Sequence, residues 1–570
     1  MSYETVKTTD GIVFSIRPGT SDIKTLRDAC GFIEKNENPS YYRMRGDFEL
    51  KVKDGDVWLD LGAQIGAFTC RAIKDGAKKV IAFEPHPENY EMLEKNVIQN
   101  EFSEKAYLIN AAVVGKNKDG NRKNLYVTNS TYRHTLLPPT TKNNGATIET
   151  DVMELDAVLD AHPDVNALKM DIEGSELDVL LNTRLFCTGL EKFVFEYSFD
   201  HFPETRDFFK LCDHLRRTGF DVYHKPSLSN LPEKWDHTKT RGNNGVIVWC
   251  KRRITECKQN RDITMIDAGY FYDMKSVTEC TTYMRESSFN ASDSASTPWK
   301  VIRENTHMID AETGEPVVIV CKNVLTTNEV DEIVNSLIKV AKGTMNNTRG
   351  IAAGRIDVDR IRTQRPGLRV GRMTDFKLYA LRKDGTVSNS HFANPASSAI
   401  VGWTDIPPRN DKSKKRRLTA WTEKNLEKCK ESWPGLEKVS NAYMRMMHDR
   451  WKKQDALAGA TDTRFGETAF STITVNWKYR SALHQDKGDY KEGMGCLFMQ
   501  ADSNGGGELL FPEYGIAAAL ETGDLLLFNP HIWHCTAPIA DSNPRSSFVC
   551  YFRENLAKNI NKDAASSSNN

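Results

Sequence analysis

The segment His484-Gln485-Asp486, with His534 and Arg545 downstream, places the residue types of a redox-active metal centre in one stretch of chain. Two imidazoles and one carboxylate hold a ferrous ion on one face and leave the opposite positions open for substrate and oxygen. Residues two apart in an extended strand project to the same side, so His484 and Asp486 can reach one ion while Gln485 points away. Asp489 is odd in spacing from His484 and is expected to face the other way. His531, three residues before His534, competes with it for the role of distal ligand. Arg545 lies eleven residues past His534, with Ser547 two further along the same strand face. An arginine and a hydroxyl so placed can grip a carboxylate, which suits the distal carboxylate of 2-oxoglutarate.

Such a set requires elements that bring His534 back to His484. Between them lie Gly505-Gly506-Gly507 with Glu508-Leu509-Leu510-Phe511-Pro512, then Leu520-Glu521-Thr522-Gly523-Asp524 with Leu525-Leu526-Leu527-Phe528. This reads as turn, strand, turn, strand, the pattern of a small barrel.

The segments Glu467 to Asn476, His484 to Asp489, Phe511-Pro512-Glu513-Tyr514-Gly515 and His534-Cys535-Thr536-Ala537-Pro538-Ile539, in this order, resemble the TET/JBP dioxygenases. Members oxidise the methyl group of a pyrimidine base, on 5-methylcytosine or thymine, with Fe(II), oxygen and 2-oxoglutarate. The resemblance implies that His484, Asp486 and His534 are the iron ligands and that Arg545 and Ser547 bind 2-oxoglutarate. It also favours His534 over His531, because His534 heads the family-like segment.

The first half carries a second set of signals. Val57 to Leu61 is an apolar strand that runs into the Gly62 to Gly66 turn and then a helix, and a glycine there lets backbone approach a cofactor closely. About twenty residues on, Val80-Ile81-Ala82-Phe83-Glu84 is a second strand ending in an acid placed to bond ribose hydroxyls. The glycine spacing lacks the full dinucleotide fingerprint, which argues for S-adenosylmethionine over NAD. With Ala167-Leu168-Lys169-Met170-Asp171-Ile172-Glu173-Gly174, these elements resemble the FkbM methyltransferases. Members typically move a methyl group to a hydroxyl oxygen of a sugar or small molecule. The resemblance implies that Asp60, Gly62, Gly66 and Glu84 line the cofactor and that Asp171 and Glu173 stand near the reacting centre. Gln64 occupies a position where asparagine is common in that family, and Glu173 has a rival reading as an acid favoured by a helix N-terminus.

A chain of 570 residues is too long for a single core. The expected organisation is a doubly wound, Rossmann-like α/β methyltransferase domain over residues 1–252, a linker region over 253–315 and a polar tail over 557–570. Residues 316–556 would form a mainly β oxygenase domain, a double-stranded β-helix or jelly roll. Ser287 to Pro298, small and polar, suits an exposed connection.

With 77 basic and 77 acidic residues, the whole chain offers no charge argument for a polyanion. Locally it does, since residues 409–453 hold 14 Lys and Arg against 6 Asp and Glu, and residues 341–380 hold 9 against 3. Lys412, Lys414, Lys415, Arg416 and Arg417 lead the first group. These segments suit contact with a nucleic-acid backbone such as DNA, against the alternative of solvated loops. The 12 cysteines form no CxxC pair, no apolar run is long enough to span a membrane, and the N-terminus has no apolar signal region. A cytoplasmic location is the expectation, with a nuclear one weaker. The function expected is hydroxylation of a base methyl group joined to O-methylation. The same two chemistries on a glycan, free nucleotide, small molecule or protein side chain stay open.

Overall fold

In the strand Val57–Leu61 (β1) every residue is buried, and alternate side chains enter two different cores. Val57, Leu59 and Leu61 join one apolar cluster, while Trp58 joins the other. That is the mark of a strand covered on both faces. In this computed structural model the described residues are all but 1–2, 32–49, 118–119, 129, 132, 139–145, 200, 226–244, 260–299, 343–396, 408–415, 482–483, 502–505, 538, 541 and 559–570. The chain divides into two units, Met1–Arg253 and Ile254–Asn570.

In the first unit β1 belongs to a seven-stranded sheet with Lys79–Phe83 (β2), Ala106–Ile109 (β3), Ala167–Met170 (β4), Lys192–Ser198 (β5), Phe220–Lys225 (β6) and Gly245–Arg252 (β7). The spatial order is β6-β7-β5-β4-β1-β2-β3, parallel from β5 to β3, with β7 antiparallel to both its neighbours. Helices Ala67–Lys74 (α1) and Pro87–Gln99 (α2) cover one face. Leu155–Ala161 (α3), Glu176–Asn182 (α4) and Thr205–Arg217 (α5) cover the other. The pattern in α5 explains its placement, because Phe208, Leu211, Cys212 and Leu215 fall on one stripe and all are buried. Because β1 lies between β2 and β4, the connections leave β1 and β4 in opposite directions and open a crevice at their carboxyl ends.

The second unit holds two sheets, formed in chain order by Ile254–Cys257 (β8), Lys300–Ile302 (β9), Thr306–Asp310 (β10), Pro316–Cys321 (β11), Ser398–Thr404 (β12), Arg417–Leu418 (β13), Thr472–Trp477 (β14), Gly495–Gln500 (β15), Leu509–Phe511 (β16), Ile516–Ala518 (β17), Leu525–Phe528 (β18), Cys535–Thr536 (β19) and Ser546–Tyr551 (β20). The larger sheet runs β8-β10-β11-β18-β15-β20-β14-β12-β13 and the smaller β9-β17-β16-β19. Val318, Val320, Leu497, Leu526 and Phe528 of the larger sheet pack with Leu509, Phe511 and Ile516 of the smaller in one core. Each strand therefore presents alternate side chains to the space between the sheets. Helix Thr327–Leu337 (α6) begins at a capping box in which Thr326 and Glu329 each bond the other's backbone N–H.

The boundaries differ from expectation. Residues 253–315, expected to form a linker, contribute β8, β9 and β10 to these sheets. The edge strand β8 alternates exposed and half-buried residues, so it lacks the apolar run that announces a core strand. The Ser287 to Pro298 segment lies outside the described residues, as do residues 559–570 of the polar tail, which is preceded by a short helix, Glu554–Lys558.

Candidate active sites

His484 and Asp486 lie beyond the end of β14 in no regular strand. Instead His484 and His534 form an isolated antiparallel bridge, each N–H donating to the other's carbonyl at 3.0 Å. The Asp486 N–H donates to the Pro530 carbonyl at 2.9 Å, which extends the pairing. This two-residue ladder brings the distant histidine home. Gln485 does point away, its amide donating to the His531 carbonyl at 2.7 Å.

The three donor groups converge. Asp486 Oδ1 is 3.6 Å from His484 Nε2, and its Oδ2 is 3.4 Å from His534 Nε2. One ligand atom from each of the three lies within 4.8 Å of the others. Donors about 2.1 Å from a common ion and about 90° apart would be about 3 Å from one another, so the set is close to the spacing needed. His534 is 3 % exposed, its Nδ1 lies 2.8 Å from the Ile532 carbonyl, and its ring packs edge-on to Phe528. Donation from Nδ1 leaves the Nε2 lone pair facing the centre. Asp489 and His531 are not in this set; Asp489 lines the same pocket, and its N–H donates to the Asp486 carbonyl.

Arg545 immediately precedes β20 and lines the same pocket while being 2 % exposed. Its Nη1 donates to the Tyr479 carbonyl at 3.4 Å and to Ser547 Oγ at 3.3 Å, whereas Nε is buried with no partner. No carboxylate of the described residues forms an ion pair with it. Burial drives its pKa down to about 10, with Glu508 opposing from a distance. A buried guanidinium served by neutral acceptors alone is costly, and an incoming carboxylate would offset that cost. The chemistry of these donors therefore fits both a metal ion and a dicarboxylate.

In the first unit the predicted residues gather at the carboxyl ends of β1, β2 and β4. Asp60 is fully buried and already engaged, accepting from Thr69 Oγ1 at 2.6 Å and paired with Lys169 Nζ at 3.1 Å. Gly62 has φ +75°, and a Cβ there would lie 1.9 Å from the Asp171 carbonyl oxygen; one on Gly66, at φ +83°, would lie 2.7 Å from Leu93. Both glycines are thus required by the protein's own packing. Glu84 accepts from the N–H of Gln64 at 2.8 Å and of His86 at 3.0 Å, and burial raises its pKa to about 7.

Gln64 takes a left-handed φ of 51°, a conformation that asparagine enters more readily. Its amide bonds Asp22 at 3.1 Å. Glu173 is also left-handed, at φ 52°, and half-buried, with burial and the charges of Asp171, Glu196 and Glu176 holding its carboxyl well above the usual range. The acid at the helix N-terminus is Glu176, which opens α4 and accepts the N–H groups of Ile172 at 2.8 Å and Gly174 at 2.9 Å. Sequence reasoning missed Lys169 and the stacked pair His86 and His134, with ring centroids 4.1 Å apart beside Glu84. Only the position of Lys169, two residues before Asp171, hinted at a role.

Of the basic segments, Lys412, Lys414 and Lys415 lie outside the described residues, as do residues 343–380. Arg417 bonds the carbonyls of Ile406 and Leu418, each at 3.0 Å, while Lys438, Arg450 and Lys453 pair with Glu329, Glu315 and Glu492. No helix among the described residues is long and apolar enough to cross a membrane.

The chain carries a domain similar to methyltransferases, followed by one similar to oxygenases. Residues 60–222 match the methyltransferase FkbM domain, and residues 405–554 match the Tet_JBP oxygenase domain of the 2OGFeDO superfamily, so the chain resembles these families over those spans. Among curated proteins it is similar to thymine dioxygenase JBP1-B of Trypanosoma cruzi, 30% identical over 166 residues, which are 28% of this chain and 20% of the relative. It is also similar to the bifunctional helicase and thymine dioxygenase JBP2 of the same organism, 32% identical over 176 residues, 30% of this chain and 16% of the relative. The chain thus spans a fifth or less of the length of these relatives. A solved structure of NgTET1 in complex with 5mC DNA aligns with 51% of this chain and 92% of its own, at 15% identity and a TM-score of 0.30. The oxygenase family implies Fe(II) and 2-oxoglutarate, and the methyltransferase domain implies S-adenosylmethionine.

Proposed function

We propose that this chain is a bifunctional enzyme, a 2-oxoglutarate- and Fe(II)-dependent hydroxylase of a nucleic-acid base methyl group fused to an S-adenosylmethionine-dependent O-methyltransferase. We take the first unit as a doubly wound, Rossmann-like domain and the facing sheets of the second as a jelly roll. The reading rests on one observation above all. His484, Asp486 and His534 converge in a pocket that also holds a buried arginine without a carboxylate partner. The relatives named for thymine oxidation support the choice of a base methyl group, 5-methylcytosine or thymine, as substrate.

When bound, Fe(II) with 2-oxoglutarate and oxygen supplies hydroxylation of an unactivated methyl C–H bond. The chain's own groups prepare for it. Asp486 contributes the one negative charge among the three ligands, His534 is oriented through Nδ1, and Arg545 with Ser547 anchors the distal carboxylate. Phe528, packed on His534, keeps water from that side. A base within a duplex cannot reach such a pocket, so the DNA substrate is flipped out or single-stranded.

In the first unit, Asp60, Gly62, Gly66 and Glu84 shape the cofactor crevice, with Glu84 facing the ribose hydroxyls. Asp171 and Glu173 stand at the acceptor, and Glu173, whose proton affinity is raised, takes the proton of an incoming hydroxyl. The oxygenase product carries the hydroxyl that the methyltransferase needs, and covalent linkage raises the local concentration of one site near the other's product.

Incubation with methylated DNA, iron, 2-oxoglutarate and labelled S-adenosylmethionine, followed by mass spectrometry of the digested nucleosides, tests both steps. Label in a modified nucleoside that requires both Asp486 and Glu84 is expected. Label that persists in Asp486→Ala would refute the order of steps, and unoxidised nucleosides throughout would refute the substrate.

A further inference from the structure

Asn476 sits directly opposite Ser547 in the β14–β20 register, and both line the pocket that holds the His–Asp–His set and Arg545. Its side chain is 8 % exposed. As placed, Nδ2 lies 3.4 Å from Ser547 Oγ, and Oδ1 is buried with no partner. Ser547 Oγ also takes an N–H from Arg545 Nη1 at 3.3 Å.

Proton counting admits a second placement of the amide. A guanidinium only donates, so Ser547 Oγ must accept from Arg545. The one proton of the hydroxyl is then free for its other neighbour, and it is used only when the amide end that faces it is the acceptor Oδ1. The two ends of an asparagine amide are near-equal in shape, and the hydrogen bonds assign them. With the amide turned, a relay runs from Arg545 Nη1–H to Ser547 Oγ, and from Ser547 Oγ–H to Asn476 Oδ1. The serine hydroxyl then both donates and accepts, and the Asn476 NH2 takes the place of the orphaned atom as a donor in want of an acceptor.

We infer that Asn476 is a third anchor for the distal carboxylate of 2-oxoglutarate, donating from Nδ2 beside Arg545 and Ser547. This rests on the proposed reading of the pocket and deepens it. The carboxylate is the occupant of choice because it only accepts, and two donors then want an acceptor: Arg545 Nε, with no partner among the described residues, and the turned amide. The position is invisible to pattern reading, since an asparagine eight residues before His484 on a buried strand signals nothing by type or spacing.

The test is binding measured by calorimetry without oxygen, on the full chain loaded with Fe(II), using 2-oxoglutarate and 2-oxobutanoate, which lacks the distal carboxylate. Asn476→Ala should weaken 2-oxoglutarate about tenfold, in keeping with loss of one hydrogen bond to a charged group. Its Fe(II) content and its affinity for 2-oxobutanoate should stay at wild-type values. Asn476→Asp, nearly the same in shape, should weaken 2-oxoglutarate further, because carboxylate then faces carboxylate. Equal weakening of both ligands, or none of either, overturns the assignment. A wild-type chain that fails to bind 2-oxoglutarate overturns the pocket reading itself, and the wild-type arm alone reports that.

Discussion

A Cβ on Gly507 would lie 2.7 Å from both Cδ and Nε of Arg545, and Gly507 has φ +88°. Gly507 is therefore part of the wall against which the Arg545 side chain is packed. Gly507→Ala would be strained in its backbone and would push the guanidinium out of place. The expected result is a stability loss of about 1–3 kcal/mol and at least tenfold weaker 2-oxoglutarate binding, with Fe(II) retained. Calorimetry and thermal unfolding read the two effects. Unchanged cosubstrate affinity would show that Arg545 has room to move.

Arg545 should not be replaceable by lysine. An ammonium keeps the charge but loses the planar fork, and here the fork has a free Nε. Arg545→Lys is expected to weaken 2-oxoglutarate by roughly 30- to 1,000-fold, about 2–4 kcal/mol. Fe(II) affinity should be unaffected, since Arg545 is not among the converging ligands. Equal loss of both would indicate a folding defect.

Residue type and spacing pointed, through a short physical chain, to three residues whose donor atoms the fold brings within 4.8 Å of one another. Only two imidazoles and a carboxylate suit the ion, and His484 and Asp486 had to project together. What the pattern could not show was how they are held, since the pairing of His484 with His534 is a two-residue bridge rather than a strand. In the first half the glycines have a cause that the pattern could not show, the protein's own packing. Gly62 is required by the Asp171 carbonyl and Gly66 by Leu93, contacts between segments far apart in sequence. The acidic group after β4 was also only half visible, because Glu173 and Glu176 exchange roles once the left-handed turn at Glu173 and Gly174 is formed. Strands β8 to β10 escaped notice because short, half-buried strands at or next to a sheet edge carry little apolar signal.

Glu176 supplies a pH prediction. Burial pushes its carboxyl up to about 8 in the folded chain, against an ordinary value of 4.5. Between these values the unfolded chain has released the proton that the folded chain retains, so stability falls as pH rises from about 4.5 to about 8. The contribution is at most about 1.4 kcal/mol per pH unit. Glu176→Gln should lower stability below pH 5 less than it alters the slope, and denaturant titrations at pH 5 and 8 should show a smaller difference than in the wild type. A slope unchanged by the substitution would mean that Glu176 is ionised when folded, held by the N–H groups of Ile172 and Gly174.

The last prediction concerns the independence of the two sites. Asp486 is the single carboxylate in the metal set, while Gly62, Glu84 and Asp171 belong to a unit with its own cores. Asp486→Ala or His484→Ala should abolish Fe(II) binding and 2-oxoglutarate turnover yet leave S-adenosylmethionine affinity within about twofold, as expected for changes confined to a separate unit without shared partners. Chelation of the wild type should have the same pattern, reversed by added Fe(II). The converse substitution, Gly62→Ala, drives a Cβ to 1.9 Å from a backbone oxygen and should unfold or inactivate the methyltransferase unit while metal content persists. Metal analysis and calorimetry with S-adenosylmethionine, run on both variants, give the answer directly. Loss of both ligands in either variant would mean that the two units stand or fall together.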